Sequence, residues 1–269
     1  MKNKILVANW KMNLSPDEEI SLLKEVANLF KNNKKNIPDL EIIICPSFLA
    51  LKQAKEVIKE LPNFHLGAQN CFWEDKGAYT GEISPLYLKQ IGIEFIILGH
   101  SERRTYLGEA NEMINKKVRA CLKNDLCPII CVGETFEEQQ EGKRDYTIMH
   151  QTSTALEGLQ VNENKRILIA YEPVWVIGRG KAVEPEQAEY ANRVIQQTAI
   201  DCLPLDFVKQ KMSFLYGGSI DEENVVSFKE QKTIDGFLVG GASLNPKEFF
   251  GIVELLTHRN NYCKRRNNR

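Results

Sequence analysis

The 269-residue sequence has no apolar run near the ~20 residues of a membrane span, no C-x-x-C pair and almost no net charge. Each absence excludes something. Met1-Lys2-Asn3-Lys4 leads into an apolar run of only four residues, Ile5 to Ala8, too short for the core of a secretory signal. Lys plus Arg total 35 against 36 Asp plus Glu, so no global basic field draws in nucleic acid or an anionic membrane. The charge is uneven: Arg259, Lys264, Arg265, Arg266 and Arg269 stand in a tail without an acid, and the rest of the chain carries −6 to give the net −1. Residues 257–269 read as a flexible, solvated basic tail, and residues 1–256 as one domain. Seven cysteines, an odd number in a chain large enough to need no staples, fit reduced thiols and a cytoplasmic location. Cys127 and Cys131 would share one face of a strand as core thiols. Four scattered histidines (65, 100, 150, 258) show no zinc-ligand spacing.

What is present is repetition. Short apolar runs recur at Ile5–Asn9, Leu40–Cys45, Phe64–Gln69, Ile93–Leu98, Leu126–Val132, Ile167–Glu172, Met212–Tyr216 and Gly236–Val239. They are mostly uninterrupted, as strands buried on both faces of a parallel sheet are. Amphipathic stretches lie between them. Ser15-Pro16-Asp17-Glu18 is a capping box, with Ile20, Leu23, Ala27 and Phe30 following at helical spacing. Thr135 to Glu138 and Ser219 to Glu222 repeat the box, Asn245 to Glu248 varies it, and Pro185 opens another helix. Eight strand–helix units in about 250 residues predict an α/β fold, a closed eight-stranded parallel (β/α)8 barrel of one domain. An open doubly wound sheet is the rival that periodicity leaves standing.

In such a barrel the chemistry sits where the strands end. The first run delivers Asn9-Trp10-Lys11, a cation over the barrel mouth. The fourth delivers Gly99-His100-Ser101-Glu102-Arg103-Arg104, with His100 just before a helix start, where a neutral imidazole that donates to a carbonyl is favoured. Glu102 and the two arginines are either a solvated cluster or a brace. The sixth run delivers Tyr171-Glu172-Pro173, and a carboxylate closing an apolar strand is costly unless it has a partner or a task. Val174-Trp175-Val176-Ile177-Gly178-Arg179-Gly180-Lys181 then reads as a moving cover. Gly178-x-Gly180 lacks the third glycine of a dinucleotide loop, and Ala182 after Lys181 rules out a P-loop. Gly217-Gly218-Ser219 and Gly240-Gly241 follow the last two runs and together suggest a backbone cradle for phosphate.

These segments, with Gly67-Ala68-Gln69-Asn70, Gly77 to Glu82, Cys131-Val132-Gly133-Glu134 and Leu238 to Leu244, closely resemble the triosephosphate isomerase family from Lys4 to about Leu256. The resemblance implies a cofactor-free, metal-free aldose–ketose isomerase of glyceraldehyde 3-phosphate and dihydroxyacetone phosphate, acting through an enediolate. It implies Glu172 as base, His100 as neutral acid and shuttle, Lys11 and Asn9 at the oxygens, and Glu102 as a supporting carboxylate. Gly178, Ser219, Gly240 and Gly241 would hold the phosphate. Trp175 and Ile177 belong to the lid, and Ile177 with Leu238 would clamp and desolvate Glu172. The loop carrying Thr80 would reach a neighbouring subunit, which implies a homodimer.

The lid departs from the family pattern: Val176 stands for alanine, Arg179 for threonine, and Ala182-Val183-Glu184 replaces a smaller, hydroxylated hinge. Those changes bear on lid kinetics and on the size of sugar phosphate accepted. They leave two alternatives open, an isomerase of four-carbon sugar phosphates and an inactive barrel used as a binding scaffold.

Overall fold

A computed structural model of the chain describes residues 3–33, 37, 39–176 and 182–257. Ile177 to Lys181, with the predicted lid residues Ile177 and Gly178, lie outside the described residues, as does the basic segment from His258. Thr257, placed above in the tail, instead closes the last helix, its hydroxyl donating to Val253 O at 2.9 Å.

Eight parallel strands close on themselves: β1 (Lys4–Asn9), β2 (Leu40–Cys45), β3 (Phe64–Ala68), β4 (Phe95–Leu98), β5 (Cys127–Val132), β6 (Ile167–Tyr171), β7 (Met212–Tyr216) and β8 (Gly236–Val239). The closure removes the open-sheet rival, because β1 pairs with β8 in the register Ala8↔Val239. The uninterrupted apolar runs have a simple cause. Alternate residues such as Ile5, Val7, Ile43, Ile97, Ile129, Leu168 and Leu215 fill the barrel interior. Their neighbours Leu6, Ala8, Ile42, Ile96, Ile130 and Ile169 face the ring of helices. Cys127 and Cys131 share the interior face, as their spacing predicts.

Strand ends shift by a residue or two from the apolar runs. Ile93 and Leu126 are spent on turns, their N–H groups donating to Leu88 O and Cys121 O at the ends of the preceding helices. Glu172 falls one residue past β6, although its N–H still donates to Val132 O at 2.8 Å.

Helix starts follow their caps. Ser15 Oγ accepts from Glu18 N at 3.4 Å while Glu18 Oε2 accepts from Ser15 N at 2.8 Å, opening Pro16–Asn32. Thr135 and Glu138 do the same for Phe136–Gln140. Asn245 Oδ1 caps Pro246–Thr257, accepting from Lys247 N and Glu248 N. The box predicted at Ser219 does not form. Asp221 captures that role, its Oδ1 accepting from Glu223 N (2.9 Å) and Asn224 N (3.0 Å), and the helix is only Val225–Lys229. A carboxylate bonding the N–H groups two and three residues ahead makes its own turn and outcompetes a serine two positions back.

The opposite end of the barrel is closed by charge. Arg166 forks onto Glu41 (2.9 and 2.7 Å) and lies 5.7 Å from the Phe95 ring centre. His65 meets Glu94 at 3.0 Å and Glu41 at 3.7 Å.

Candidate active site

The C-terminal ends of β1, β4, β6, β7 and β8 surround a cavity of roughly 310 Å³. Asn9, Lys11, His100, Glu172, Ser219, Leu238, Gly240 and Gly241 line it, so eight of the predicted site residues converge.

Lys11 is held in an unusual posture. Its φ is 55°, a left-handed conformation that a side chain resists. Three contacts hold it there: its N–H donates to Asn9 Oδ1 at 3.2 Å, its carbonyl accepts from Gln69 Nε2 at 2.8 Å, and its ammonium meets Glu102 Oε1 at 2.7 Å. Glu102 is therefore a brace, on the rim rather than in the cavity. Gln69, which also donates to Cys45 O at 3.1 Å, has a role that the sequence did not indicate.

His100 caps the helix Ser101–Leu107, its Nδ1 accepting from Glu102 N at 3.3 Å. An imidazole that accepts at Nδ1 and is neutral carries its proton on Nε2. That Nε2 lies 3.3 Å from Glu172 Oε1. The other oxygen of Glu172 accepts from Ser101 N at 3.2 Å, so both carboxylate oxygens of a residue only 2% exposed have donors.

Two glycines make room for Glu172, one for its backbone and one for its side chain. A Cβ on Gly133 would fall 1.7 Å from Glu172 O, and one on Gly217 would fall 2.8 Å from Glu172 Cγ. A Cβ on Gly218 would strike the Tyr216 hydroxyl at 2.1 Å. The first glycine pair thus serves close packing as much as a phosphate cradle. Gly240 and Gly241 are open: a Cβ on Gly240 would make only ordinary contact with Lys11 Cε (3.6 Å), and one on Gly241 would meet nothing within 4 Å. Leu238, 3% exposed, separates the cavity from the barrel interior.

The segment at which the predicted lid begins is anchored. Trp175 Nε1 donates to Glu134 Oε1 at 2.9 Å, Tyr171 OH donates to the same oxygen at 3.1 Å, and Val174 N donates to Glu134 O. Burial pushes the Glu134 carboxyl above the usual range, with Trp175 and Tyr171 opposing. On the far side, Val183 N donates to Tyr216 OH at 3.4 Å, and Tyr216 stacks on Phe228. Glu134 was legible only as part of a matching segment, because its partner Trp175 is 41 residues away. Val176 is 2% exposed and packs into the outer hydrophobic core, and it is not among the residues that line the cavity.

Thr80 is not brought to this cavity. It is exposed in the loop 77–82, where Tyr79 packs on Phe72 at 4.6 Å between ring centres. Two acids that the sequence marked only as parts of helix-start boxes, Asp221 and Glu248, also line the cavity. A larger, more open recess of roughly 640 Å³ lies beside Trp73, Lys116 and Arg119. Arg119 is already bonded there to Asn115 and to the carbonyls of Glu157 and Gly158.

The family model described as Triosephosphate isomerase matches residues 4–256. A triosephosphate isomerase of Dictyoglomus turgidum is 44% identical over 253 residues, covering 94% of this chain and 99% of the relative. One of Caldanaerobacter subterraneus subsp. tengcongensis is 43% identical with the same coverage. One of Lactobacillus delbrueckii subsp. bulgaricus is 39% identical over 94% of this chain and 98% of its own.

Proposed function

The chain belongs to the triosephosphate isomerase family and interconverts glyceraldehyde 3-phosphate and dihydroxyacetone phosphate, and from that premise we propose the roles of its residues. Glu172 takes the proton from C2 of the aldose. His100 donates its Nε2 proton to the C1 carbonyl oxygen as charge develops there, then recovers a proton from the C2 oxygen. Glu172 returns its proton to C1, so the enzyme ends as it began. Lys11 stabilises the enediolate and the phosphate, and Asn9, which holds the Lys11 backbone, helps orient the oxygens. Ser219, Gly240 and Gly241 take the phosphate, with Gly178 from the lid.

The observation that carries this reading is the meeting of carboxylate, imidazole and ammonium in one cavity, with His100 Nε2 3.3 Å from Glu172. Both bases are nearly dry, at 2% and 6% exposure. Removal of water strengthens each electrostatic contact, and closure of the lid that carries Trp175 and Ile177, toward Leu238, would complete it.

The test is a coupled assay with glyceraldehyde 3-phosphate, following dihydroxyacetone phosphate, beside Glu172→Gln. Fast turnover that the substitution abolishes is expected. Comparable turnover in the variant would remove Glu172 as base.

A homodimer and a cytoplasmic location complete the proposal. Met12, next to Lys11, is 95% exposed, and the loop around Thr80 carries the half-exposed Tyr79. Large apolar groups in these positions support burial against a second copy, which sedimentation at micromolar concentration would detect. No helix among the described residues is long and apolar enough to cross a membrane.

A further inference from the structure

The cavity is not uniformly receptive to an anion. Its glycine end, at Gly240, Gly241 and Ser219, is also lined by Asp221 and Glu248. Glu248 sits in the first turn of Pro246–Thr257, its N–H held by Asn245 Oδ1 at 3.3 Å. Asp221 is fixed by the N–H groups of Glu223 and Asn224. Glu222 packs close by over Gly251, where a Cβ would fall 2.1 Å from its Oε1. Three carboxylates from two elements therefore gather beside the place where a phosphate would sit. Among the described residues no lysine or arginine forms an ion pair with Asp221 or Glu248. Lys11, the lysine that lines the cavity, already shares its charge with Glu102 at 2.7 Å.

We propose that Glu248, backed by Asp221, limits the affinity of this site for phosphate: it opposes the substrate dianion, raises KM and speeds release of both triose phosphates. The inference rests on the triose phosphate reading. Its logic is that tight binding of the phosphate alone would stabilise substrate and transition state equally and would not raise kcat. A charge that weakens both equally appears in KM and leaves kcat unchanged. The same charge disfavours anions that carry more than one phosphate.

The other charged groups facing this space are Lys11 from β1, His100 after β4 and Glu172 after β6, with Asp221 and Glu222 after β7. Burial, then the charges of Asp221 and Glu222, make Glu248 hold its proton more tightly than an ordinary glutamate. The repulsion therefore fades as pH falls.

The test compares wild type, Glu248→Gln and Glu248→Asp for kcat and KM with glyceraldehyde 3-phosphate, and for Kd of inorganic phosphate by calorimetry. A dianion and a unit charge about 8 Å apart in a water-like medium give roughly a fivefold change in affinity. Glu248→Gln is expected to lower both KM and the phosphate Kd about three- to tenfold, with kcat held. Glu248→Asp should stay near wild type. The wild-type to Gln ratio should shrink toward one at acid pH and at high salt, whereas phosphate's own titration is common to all variants and cancels in the ratio. Unchanged or raised KM and Kd in a folded Glu248→Gln protein would overturn the proposal. Should Gln at 248 fold poorly, Asp221→Asn, whose amide oxygen can still accept both N–H groups, asks the same question. The two readings fail separately: wild type without turnover sinks the isomerase reading, while the phosphate Kd comparison still decides the role of Glu248.

Discussion

Gly217→Ala tests whether the position of Glu172, and not merely its presence, governs turnover. The added methyl would lie 2.8 Å from Glu172 Cγ, 3.4 Å from Tyr171 O and 3.6 Å from Glu172 Oε1. Carbon atoms in ordinary contact stand about 3.5–4.0 Å apart, so Cγ must retreat by roughly 0.7–1.2 Å. The backbone offers little relief. Glu172 N donates to Val132 O at 2.8 Å, Gly217 N donates to Tyr171 O at 2.8 Å, and Gly133 packs directly against Glu172 O. The side chain moves instead, and its contacts to His100 (3.3 Å) and Ser101 N (3.2 Å) lengthen or break.

A misplacement near 1 Å costs on the order of 10²-fold in rate, about 2.7 kcal/mol of barrier. Overpacking costs about 1–3 kcal/mol of stability as well, a few degrees of Tm in a domain of this size. Steady-state kinetics and a thermal melt on one preparation read both. The expected outcome is kcat lowered about 30- to 100-fold with a modest fall in Tm. Gly241→Ala is the control for stability, because its methyl meets nothing within 4 Å. A Gly217→Ala enzyme with kcat within twofold of wild type would refute the reasoning: either Glu172 is not the base, or its placement is not rate-governing.

His100→Gln should lower kcat by about 10²- to 10⁴-fold while phosphate binding holds, because an amide can donate a hydrogen bond where Nε2 stands but cannot give up and recover a proton; a collapse of binding or folding would make His100 structural. His65→Gln reports on the far end of the barrel. The hydrogen bond to Glu94 is the main cause raising the His65 pKa above 6.5, and His65 is the main cause lowering that of Glu94 below 4.5. The His65 contribution is present below pH 6.5 and lost as pH rises through its raised pKa. The Glu94 contribution is present above 4.5 and lost as pH falls. Since both side chains are partly exposed, the variant should lose only about 0.5 kcal/mol between those limits and nothing near pH 8.5, measured by urea unfolding. A pH-independent loss would assign the effect to packing.

Much of the fold was legible because closed parallel barrels bury both strand faces. Runs such as Ile167–Tyr171 therefore carry no polar interruption, and helix starts are written in adjacent residues such as Ser15 and Glu18. Local signals failed where two of them competed: Ser219 and Asp221 both resemble caps, and only the geometry shows that Asp221 takes the N–H groups. Glycine was ambiguous for a related reason. Gly217 and Gly241 look alike in sequence, but one clears space for a carboxylate and the other faces open cavity. Gln69 and Glu134 stood in the matching segments, but their roles were not legible because each acts on a partner 58 or 41 residues away.

What no strand reveals by itself is which strand ends become neighbours. In an open sheet, Lys11 at the chain's beginning and Gly240 near its end could stand at opposite edges. The register Ala8↔Val239 across the β1–β8 seam instead sets Lys11 Cε within 3.6 Å of a Cβ at Gly240. Closure of the barrel thus unites, at the end proposed to take the phosphate, a cation that follows the first strand with bare backbone that follows the last. Glu102 pairs with that cation at 2.7 Å, and Asp221 and Glu248 line the same cavity beside the glycines. Affinity at this end is therefore set by the balance between one committed ammonium and two lining carboxylates. A site whose reaction needs both isomers to leave as readily as they enter gains more from that balance than from a stronger hold on the phosphate.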